Sequence, residues 1–385
     1  MREVAVIGIG QTLIEEQWEK SLRELAGDAV LAALQDAGLP AVDGIYVGNM
    51  MSGSASHQQH LGSYIADWVG MRYAEAIRLE AACSSGAAAF RTAIMAVASG
   101  TVDSAVAVCV EKMTDSPGSE ITAQLATAAD ADWEVDMGLS FVALNALVMR
   151  RYMYEYGWKH EDFAGFSINA HANAVHNPFA RFHEPITQNE FNRSPLIADP
   201  IALLDASSMG DGAAAAVVAP AEYVRKLSGR RIIKVAGSGA ATDTMSVHNR
   251  REPLFLRAAY LSVQQAYAQA GVGPQDIDLF ESHDAFTIMA TLSLEACGFA
   301  ERGQGPRLAL DGEITPRGRI PVATRGGLKG RGHPVGATGM YQVVEVVQQL
   351  RGEAGETQVE DARIGMCQNI GGSGSNMITH ILKVE

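Results

Sequence analysis

Cysteine is scarce in this chain of 385 residues. The four cysteines are widely spaced and form no C-x-x-C pair; they are Cys83, Cys109, Cys297 and Cys367. A disulfide framework or a zinc ribbon needs cysteines in a recognisable paired spacing. The sequence therefore argues against both and favours a reducing, cytoplasmic setting.

Long apolar runs are lacking as well. Predominantly apolar stretches, such as Ala81–Phe90, span about ten residues, whereas a membrane helix needs about twenty. The first residues form a strand-like run without the pattern of a signal peptide. The net charge of −14 argues against nucleic-acid binding, because most of the surface would repel a polyanion. With 47% hydrophobic and 19% charged residues, the sequence predicts a compact globular protein with neither a membrane nor a nucleic-acid partner.

Short apolar runs alternate with helical patterns along the chain, which is typical of an α/β fold with buried sheets. Val4–Ile9 predicts a first strand. Ser21 and Glu24 have the spacing of a capping box ahead of an apolar helical face, and Gly38 stands where a left-handed cap ends a helix.

The same order returns late in the chain. A strand is predicted over Ile232–Ala236, followed by a helix with Pro253 near its first turn, a closing Gly271 and a strand over Ile277–Phe280. A second repeated unit is a glycine, a helix and a strand that holds Cys109 in one copy and Cys367 in the other. The chain is thus predicted to contain two similar α/β halves.

The segment 116–195 has no counterpart in the second half and is richer in aromatic residues, His and Asn. We therefore expect four ranges: a first half in 1–115, an inserted loop domain in 116–195, completion of the first half in 196–228, and a second half in 229–385.

Cys83 lies between a strand-like run, Ile77–Ala81, and a helix that opens at Ser84. Unpaired N–H groups and the helix dipole at such a position favour the thiolate and lower the pKa of a thiol. The sequence predicts a nucleophile here; a buried structural cysteine is the alternative.

Two histidines occupy comparable positions. His333 follows a glycine-rich approach and precedes the helix that repeats the one behind Cys83, so it is a candidate base for the thiol. His283 ends the strand Ile277–Glu281. The alternative for His333 is a capping or loop histidine. Considered alone, His283 is better explained as a hydrogen-bonded histidine at a strand end, and only its combination with Cys83 and His333 indicates a reactive site.

Other signals are weaker. The turn around Gly371 exposes backbone N–H groups that can stabilise an oxyanion, or is a plain tight turn. The glycine pairs near Gly8 and Gly237 lack the third glycine of a dinucleotide fingerprint, so a nicotinamide cofactor is rejected. No metal site is expected. The range from Arg302 to Arg331 contains seven Lys or Arg and only two acidic residues. It is either a solvated basic loop or a positively charged region that attracts a phosphorylated substrate.

Three blocks together resemble the thiolases over essentially the whole chain: EAACSSGAAAF, ESHDAF and GGLKGRGHPVGATG, supported by GDGAAA and the turn NIGGSG. Histidine in HDAF, where many thiolases carry NEAF, is similar to the sterol-carrier-protein-type branch and, within it, to archaeal and bacterial acetoacetyl-CoA thiolases.

The resemblance implies a five-layered αβαβα fold with two similar halves and an inserted loop domain. It implies that Cys83 takes the acyl group, that His333 activates Cys83, and that His333 with a water held by His283 stabilises the oxygen of the second substrate. The backbone N–H groups of Cys83 and Gly371 would form the other oxyanion hole.

One departure from the family pattern concerns the second catalytic cysteine, which thiolases usually carry directly before the Ile-Gly-Gly turn. Here that residue is Asn369, and Cys367 lies two residues earlier, about 7 Å away along a strand. Cys367 is a candidate for the base that removes the α-proton only if the strand bulges. Otherwise His283 or His333 would have to serve.

The resemblance implies the Claisen condensation of two acetyl-CoA to acetoacetyl-CoA and CoA, or the reverse, as in the mevalonate pathway. Coenzyme A would be a substrate, and no cofactor is expected. A homodimer or homotetramer is expected, with hydroxymethylglutaryl-CoA synthase and a small zinc-ribbon/OB-fold protein as further partners. The alternatives are a thiolase-like aldolase, a longer-chain 3-ketoacyl-CoA thiolase and a non-catalytic acyl-CoA-binding subunit.

Overall fold

A nine-stranded mixed sheet runs through the computed structural model, which describes residues 2–225 and 231–385. The strands are β1 (Val4–Gln11), β2 (Gly44–Gly48), β3 (Glu75–Leu79), β4 (Ala105–Glu111), β5 (Leu196–Ala198), β6 (Ile201–Ala202), β7 (Gly212–Pro220), β8 (Ile233–Thr242), β9 (Leu279–Glu281), β10 (Ile364–Gly371) and β11 (Asn376–Val384). Their order in the large sheet is β3-β2-β4-β7-β1-β8-β11-β10-β9, and β5 and β6 form a separate ladder.

The helices lie on both faces of this sheet and in the segment between β4 and β5. They are α1 (Leu22–Ala37), α2 (Ser52–Ala55), α3 (Leu61–Trp68), α4 (Ser85–Ser99), α5 (Gly118–Ala126), α6 (Phe141–Tyr156), α7 (Ala164–Ala174), α8 (Gln188–Arg193), α9 (Ala221–Arg225), α10 (Arg257–Ala270), α11 (Thr287–Ala296), α12 (Gly305–Leu310) and α13 (Thr338–Arg351). No helix among the described residues is long and apolar enough to span a bilayer.

The first helix forms as its sequence predicts. Glu24 accepts hydrogen bonds from the backbone N–H and the hydroxyl of Ser21, at 2.8 and 2.6 Å, so the predicted capping pair starts α1. Gly38 ends the helix with a φ of 69°, a left-handed conformation that glycine adopts without strain.

Two similar halves meet in the middle of the sheet. The first contributes β3-β2-β4-β7-β1 and the second β8-β11-β10-β9, and they are joined where Ala5 and Val6 of β1 pair with β8. One core lies between α1 and the first half of the sheet, a second surrounds α4 and α13, and a third lies between α10, α11 and the second half. These cores separate the predicted layers α, β, α, β and α, which confirms the expected fold class.

The central helices α4 and α13 pack closely because glycines face each other across the pair. A Cβ on Gly86 would lie 2.9 Å from the carbonyl oxygen of Gly336, and one on Gly339 would lie 2.6 Å from the nitrogen of Ala87. The first turns of both helices are therefore in contact, and the residues preceding each helix are brought together.

The segment 116–195, all of which is described, contains α5 to α8 and contributes no strand to the large sheet. The expected boundary at 228/229 lies outside the described residues. Two element predictions were wrong in detail. The strand before Cys83 spans Glu75–Leu79 and so lies two residues earlier than the predicted Ile77–Ala81. The helix α10 begins four residues after Pro253, because Pro253 belongs to a turn that precedes the helix.

Candidate active site

Cys83 lies on a strained turn between β3 and α4. Ala82, just before it, has a φ of 51°, which is uncommon for a residue with a side chain. Ser85 holds the turn, since its hydroxyl accepts from the N–H of Ala81 at 2.9 Å and donates to the carbonyl of Ala82 at 2.6 Å. The turn places Cys83 at the start of α4, with 9% of its surface exposed.

Burial reverses the pKa shift that the sequence predicted for this thiol. Burial, and next the charge of Glu111, raise the pKa of Cys83 to about 12, although the backbone N–H groups of Cys83 and Gly372 face the sulfur and act in the opposite direction. The resting side chain is therefore a protonated thiol that needs a base.

His333 lies at the other helix start, two residues after a single π-helical turn over Gly327–Arg331. Its backbone N–H donates to the carbonyl of Ser208 at 2.7 Å, and its Nδ1 lies 2.6 Å from the Oγ1 of Thr338, the first residue of α13. Burial and the charge of Arg331 lower the pKa of His333 to about 3, so the imidazole is neutral and able to accept a proton.

His283 follows the end of β9 and is 3% exposed. The side-chain amide of Asn369 donates to its Nδ1 at 2.9 Å. Burial, followed by His333 and Arg331, holds the pKa of His283 well below its usual value. The rings of His283 and His333 meet edge to face, with centroids 5.1 Å apart and planes at 87°.

Cys83, His283 and His333 converge. The sulfur and one nitrogen of each imidazole all lie within 4.8 Å of one another, and all three side chains line one cavity of about 370 Å³. The rest of the wall is largely apolar and includes Leu125, Phe141, Ile197, Met209, Met289 and Ile370. A thiol and two imidazoles are groups that can bind zinc. In this largely apolar cavity the same three side chains can instead act as a nucleophile with two neutral imidazole partners.

Cys367 is not part of this group. It lies in the core around α4 and α13 together with Cys109, its counterpart in the internal repeat. The pairing of β10 with β11 runs without a register shift from Ile364 to Gly371, so the bulge that a catalytic role would require does not occur. Burial, followed by Glu281, raises the pKa of the Cys367 thiol, so the side chain keeps its proton and has no thiolate that could act as a base.

The glycine that faces Cys83 lies one residue later in the turn than the predicted Gly371. Gly371 ends β10, where a Cβ would lie 2.6 Å from the carbonyl oxygen of Ala81. It is Gly372, with a φ of 59°, that lines the cavity and directs its N–H to the sulfur of Cys83.

Sequence reasoning missed Glu111, the last residue of β4. Its buried carboxylate accepts from the N–H of Met50 at 2.5 Å and from the amide of Asn49 at 3.1 Å, and the N–H of Gly336 also faces it. Burial raises the pKa of Glu111 to about 7. The signal available in the sequence is a carboxylate that ends an otherwise apolar strand.

The basic stretch is neither simply a solvated loop nor an open phosphate site. Arg325, Lys329 and Arg331 are at most 5% exposed. Arg331 forms a buried ion pair with Glu345, and Lys329 donates to the carbonyl of Asp205. These three cations belong to the protein interior, and Arg331 acts on both His283 and His333.

Two family models cover most of the chain. The thiolase N-terminal domain matches residues 4–222, and the thiolase C-terminal domain-like model matches residues 239–384. The chain belongs to the thiolase family. The resemblance inferred from the three sequence blocks is thereby confirmed.

Relatives of this thiolase include proteins from both expected groups. The acetyl-CoA acetyltransferase of Methanothermobacter thermautotrophicus is 45% identical over 383 residues, 99% of each chain. Human sterol carrier protein 2 is 30% identical over 98% of this chain and 71% of its own length. Among solved structures, the Ltp2–ChsH2(DUF35) aldolase superposes with a TM-score of 0.87 at 28% identity, covering 99% of this chain and 98% of that chain.

Proposed function

We propose that this thiolase is an acetyl-CoA C-acetyltransferase that interconverts two acetyl-CoA with acetoacetyl-CoA and CoA through an acetyl group on Cys83. The observation that carries the proposal is the convergence of Cys83, His333 and His283 within 4.8 Å at an apolar cavity. The acetyl group is supported by the acetyl-CoA acetyltransferase that is 45% identical over nearly the whole chain.

In the first half-reaction, neutral His333 takes the proton of the Cys83 thiol as the sulfur attacks the thioester carbonyl of acetyl-CoA. The bond to the CoA sulfur then breaks, and His333 returns the proton to the departing CoA thiolate. The thiol with the raised pKa and the imidazole with the lowered pKa start in the protonation states that this transfer needs.

The oxygen of the tetrahedral intermediate needs donors beside the sulfur. The N–H groups of Cys83 and Gly372 both face the sulfur and are the groups that we assign to this oxyanion hole. The backbone N–H of Cys83 is thus the donor that the sequence predicted, whereas the second donor is the N–H of Gly372 and not that of Gly371.

A thiolase-like aldolase is the second candidate function. Two observations favour it: the 28% identity to an aldolase of the same fold, and Asn369 in place of the usual second cysteine. An aldolase that forms no acyl-enzyme would have no use for the Cys83–His333 pair, which is complete here.

Coenzyme A would serve as substrate and product, and we propose no bound cofactor. Because β3 is an edge strand that exposes 47% of Ile77, we propose that the protein is a homo-oligomer. We further propose a cytoplasmic setting, since the four cysteines are all free thiols. The solved complex of a related chain with a DUF35 protein supports a partner protein for this chain. We propose that this partner is the expected small zinc-ribbon/OB-fold protein and that hydroxymethylglutaryl-CoA synthase consumes the product in the mevalonate pathway.

The test is to incubate the protein with acetyl-CoA alone and measure its mass and a peptide map. The proposal predicts one added acetyl group on Cys83, removed by free CoA, and none in Cys83→Ala. Cleavage of a branched β-hydroxyacyl-CoA by both proteins, without acetylation, would establish the aldolase instead. A series of 3-ketoacyl-CoA lengths separates the acetoacetyl-CoA enzyme from a longer-chain thiolase, and absence of any turnover would leave a binding subunit.

A further inference from the structure

The proposed cycle needs a base for the α-proton of the second acetyl-CoA, yet the usual cysteine is replaced by Asn369. Asn369 is 1% exposed, lies on β10 and contacts His283. The hydrogen bonds around the two histidines decide which of them can accept a proton.

In the structure the nitrogen of the Asn369 amide faces His283, and its oxygen is buried without a hydrogen-bond partner among the described residues. Its nitrogen donates to Nδ1 of His283 at 2.9 Å, and its oxygen lies against Gly339 in the first turn of α13, 2.2 Å from where a Cβ would stand. The unpaired N–H groups at a helix start carry a partial positive charge, which favours an amide oxygen over an NH₂ group on that side.

This orientation fixes the tautomer of His283. An NH₂ group can only donate, so Nδ1 must accept, and a neutral imidazole then carries its proton on Nε2. His283 can donate a hydrogen bond into the cavity but has no free lone pair with which to take a proton.

The partner of His333 permits the opposite arrangement. Nδ1 of His333 lies 2.6 Å from Oγ1 of Thr338, an oxygen that, unlike the NH₂ group of Asn369, can accept a hydrogen bond from Nδ1–H. If the proton is on Nδ1, the Nε2 atom of His333 keeps a free lone pair. This lone pair can accept a proton on the side of the ring that faces Cys83 and His283.

We propose that Asn369 and Thr338 are positioning residues that set His283 and His333 in opposite tautomers, so that His333 is the base in both half-reactions and His283 is only a donor. The inference rests on the proposed acetyl-transfer cycle and specifies its second half.

Every proton transfer of the second half-reaction can be assigned without a second cysteine. His333 is neutral again once CoA has left, so its Nε2 takes a proton from the methyl group of the second acetyl-CoA. The C–H electrons form the enolate, whose oxygen accepts from Nε2–H of His283. The enolate carbon attacks the acetyl carbonyl on Cys83, the C–S bond breaks, and the Cys83 thiolate recovers the proton from His333.

Two variants separate the roles. Asn369→Leu removes the donor to His283 and should slow cleavage of acetoacetyl-CoA by about 10²-fold, the cost of one oxyanion donor, while exchange of labelled CoA into acetyl-CoA stays within about threefold. Thr338→Val removes the partner of His333 and should slow both reactions, because both use that base.

A direct readout comes from the ¹⁵N resonances of the imidazoles in the wild-type protein, assigned with His283→Gln and His333→Gln. The proposal predicts a proton on Nε2 of His283 and on Nδ1 of His333. A proton on Nδ1 of His283, or equal loss of both reactions in Asn369→Leu, would overturn it. A wild-type protein that is never acetylated refutes the proposed function, whereas the resonances still report the tautomers.

Discussion

The carboxylate of Glu111 accepts a hydrogen bond from the backbone N–H of Met50 at 2.5 Å and so links the end of β4 to the turn after β2. The N–H of Gly336, three residues after His333, faces the same carboxylate. One buried side chain thus connects both halves beside the active site, and its charge is the second cause, after burial, of the raised pKa of Cys83.

Replacing Glu111 by Gln should increase the reactivity of Cys83 toward iodoacetamide at pH 8. Loss of the negative charge stabilises the thiolate, and we expect a rise of about three- to tenfold, which corresponds to half to one unit of pKa. The rate of alkylation, followed by mass spectrometry, checks this.

Glu80→Gln is the matched control, because Glu80 is exposed and is the weakest of the causes that act on Cys83. It should raise the rate less than Glu111→Gln does. Equal effects of the two substitutions, or none from Glu111→Gln, would contradict the electrostatic role of Glu111.

The pH dependence of alkylation in the wild-type protein follows from the direction of the same shift. A raised pKa means that the thiol keeps its proton to higher pH, so the rate should climb throughout pH 6 to 9 without a plateau. A thiolate–imidazolium pair would instead give a plateau near neutral pH. A plateau below pH 7 would show that the resting site holds a thiolate.

Cys83 and Cys367 should respond differently to removal of their thiols. Cys83→Ala should abolish acetyl transfer because no nucleophile remains. Cys367→Ala should keep turnover within about threefold and lower only the melting temperature, since the thiol fills a packed core. Loss of turnover in Cys367→Ala, with the fold retained by circular dichroism, would restore Cys367 as a candidate base.

The ion pair of Arg331 and Glu345 is fully buried. Arg331→Met leaves Glu345 without its partner and beside Glu281, and should destabilise the protein by about 3–5 kcal/mol, seen as a lower melting temperature. Arg151→Met is the control, since its ion pair with Glu155 is exposed and should contribute at most about 1 kcal/mol. Similar melting temperatures for the two variants would rule out a stabilising role for the buried pair.

Gly339→Ala should destabilise the contact between the central helices. The new Cβ would lie 2.2 Å from Oδ1 of Asn369 and 2.6 Å from the nitrogen of Ala87, and such overpacking costs about 1–3 kcal/mol. Gly118→Ala, where nothing lies within 4 Å, is the control and should leave the melting temperature nearly unchanged. The melting temperatures of both variants test this prediction, and equal values would contradict it.

The convergence of Cys83 and His333 was predictable from the sequence because it follows from the internal repeat. Each residue precedes one of two equivalent helices, and equivalent helices pack about a common axis. The apolar periodicity and the capping pair of α1 likewise depend only on residues close in the chain, which is why they were found.

The remaining features of the site depend on contacts between distant segments. Strand periodicity placed Asn369 and Cys367 on one strand but could not show that the Asn369 amide contacts His283. The choice between Gly371 and Gly372 depends on how the turn closes, and the pKa of Cys83 depends on burial and on Glu111, 28 residues further along the chain. The helix dipole alone therefore gave the wrong direction for that pKa.

The most direct test of the proposed activity is the rate at which acetoacetyl-CoA disappears when the purified protein is mixed with free CoA. A Claisen enzyme with an acetyl-Cys83 intermediate predicts rapid loss, acetyl-CoA as the sole product, and no loss with Cys83→Ala. Unchanged acetoacetyl-CoA, or loss that persists in Cys83→Ala, would contradict the assignment of this thiolase as an acetyl-CoA C-acetyltransferase.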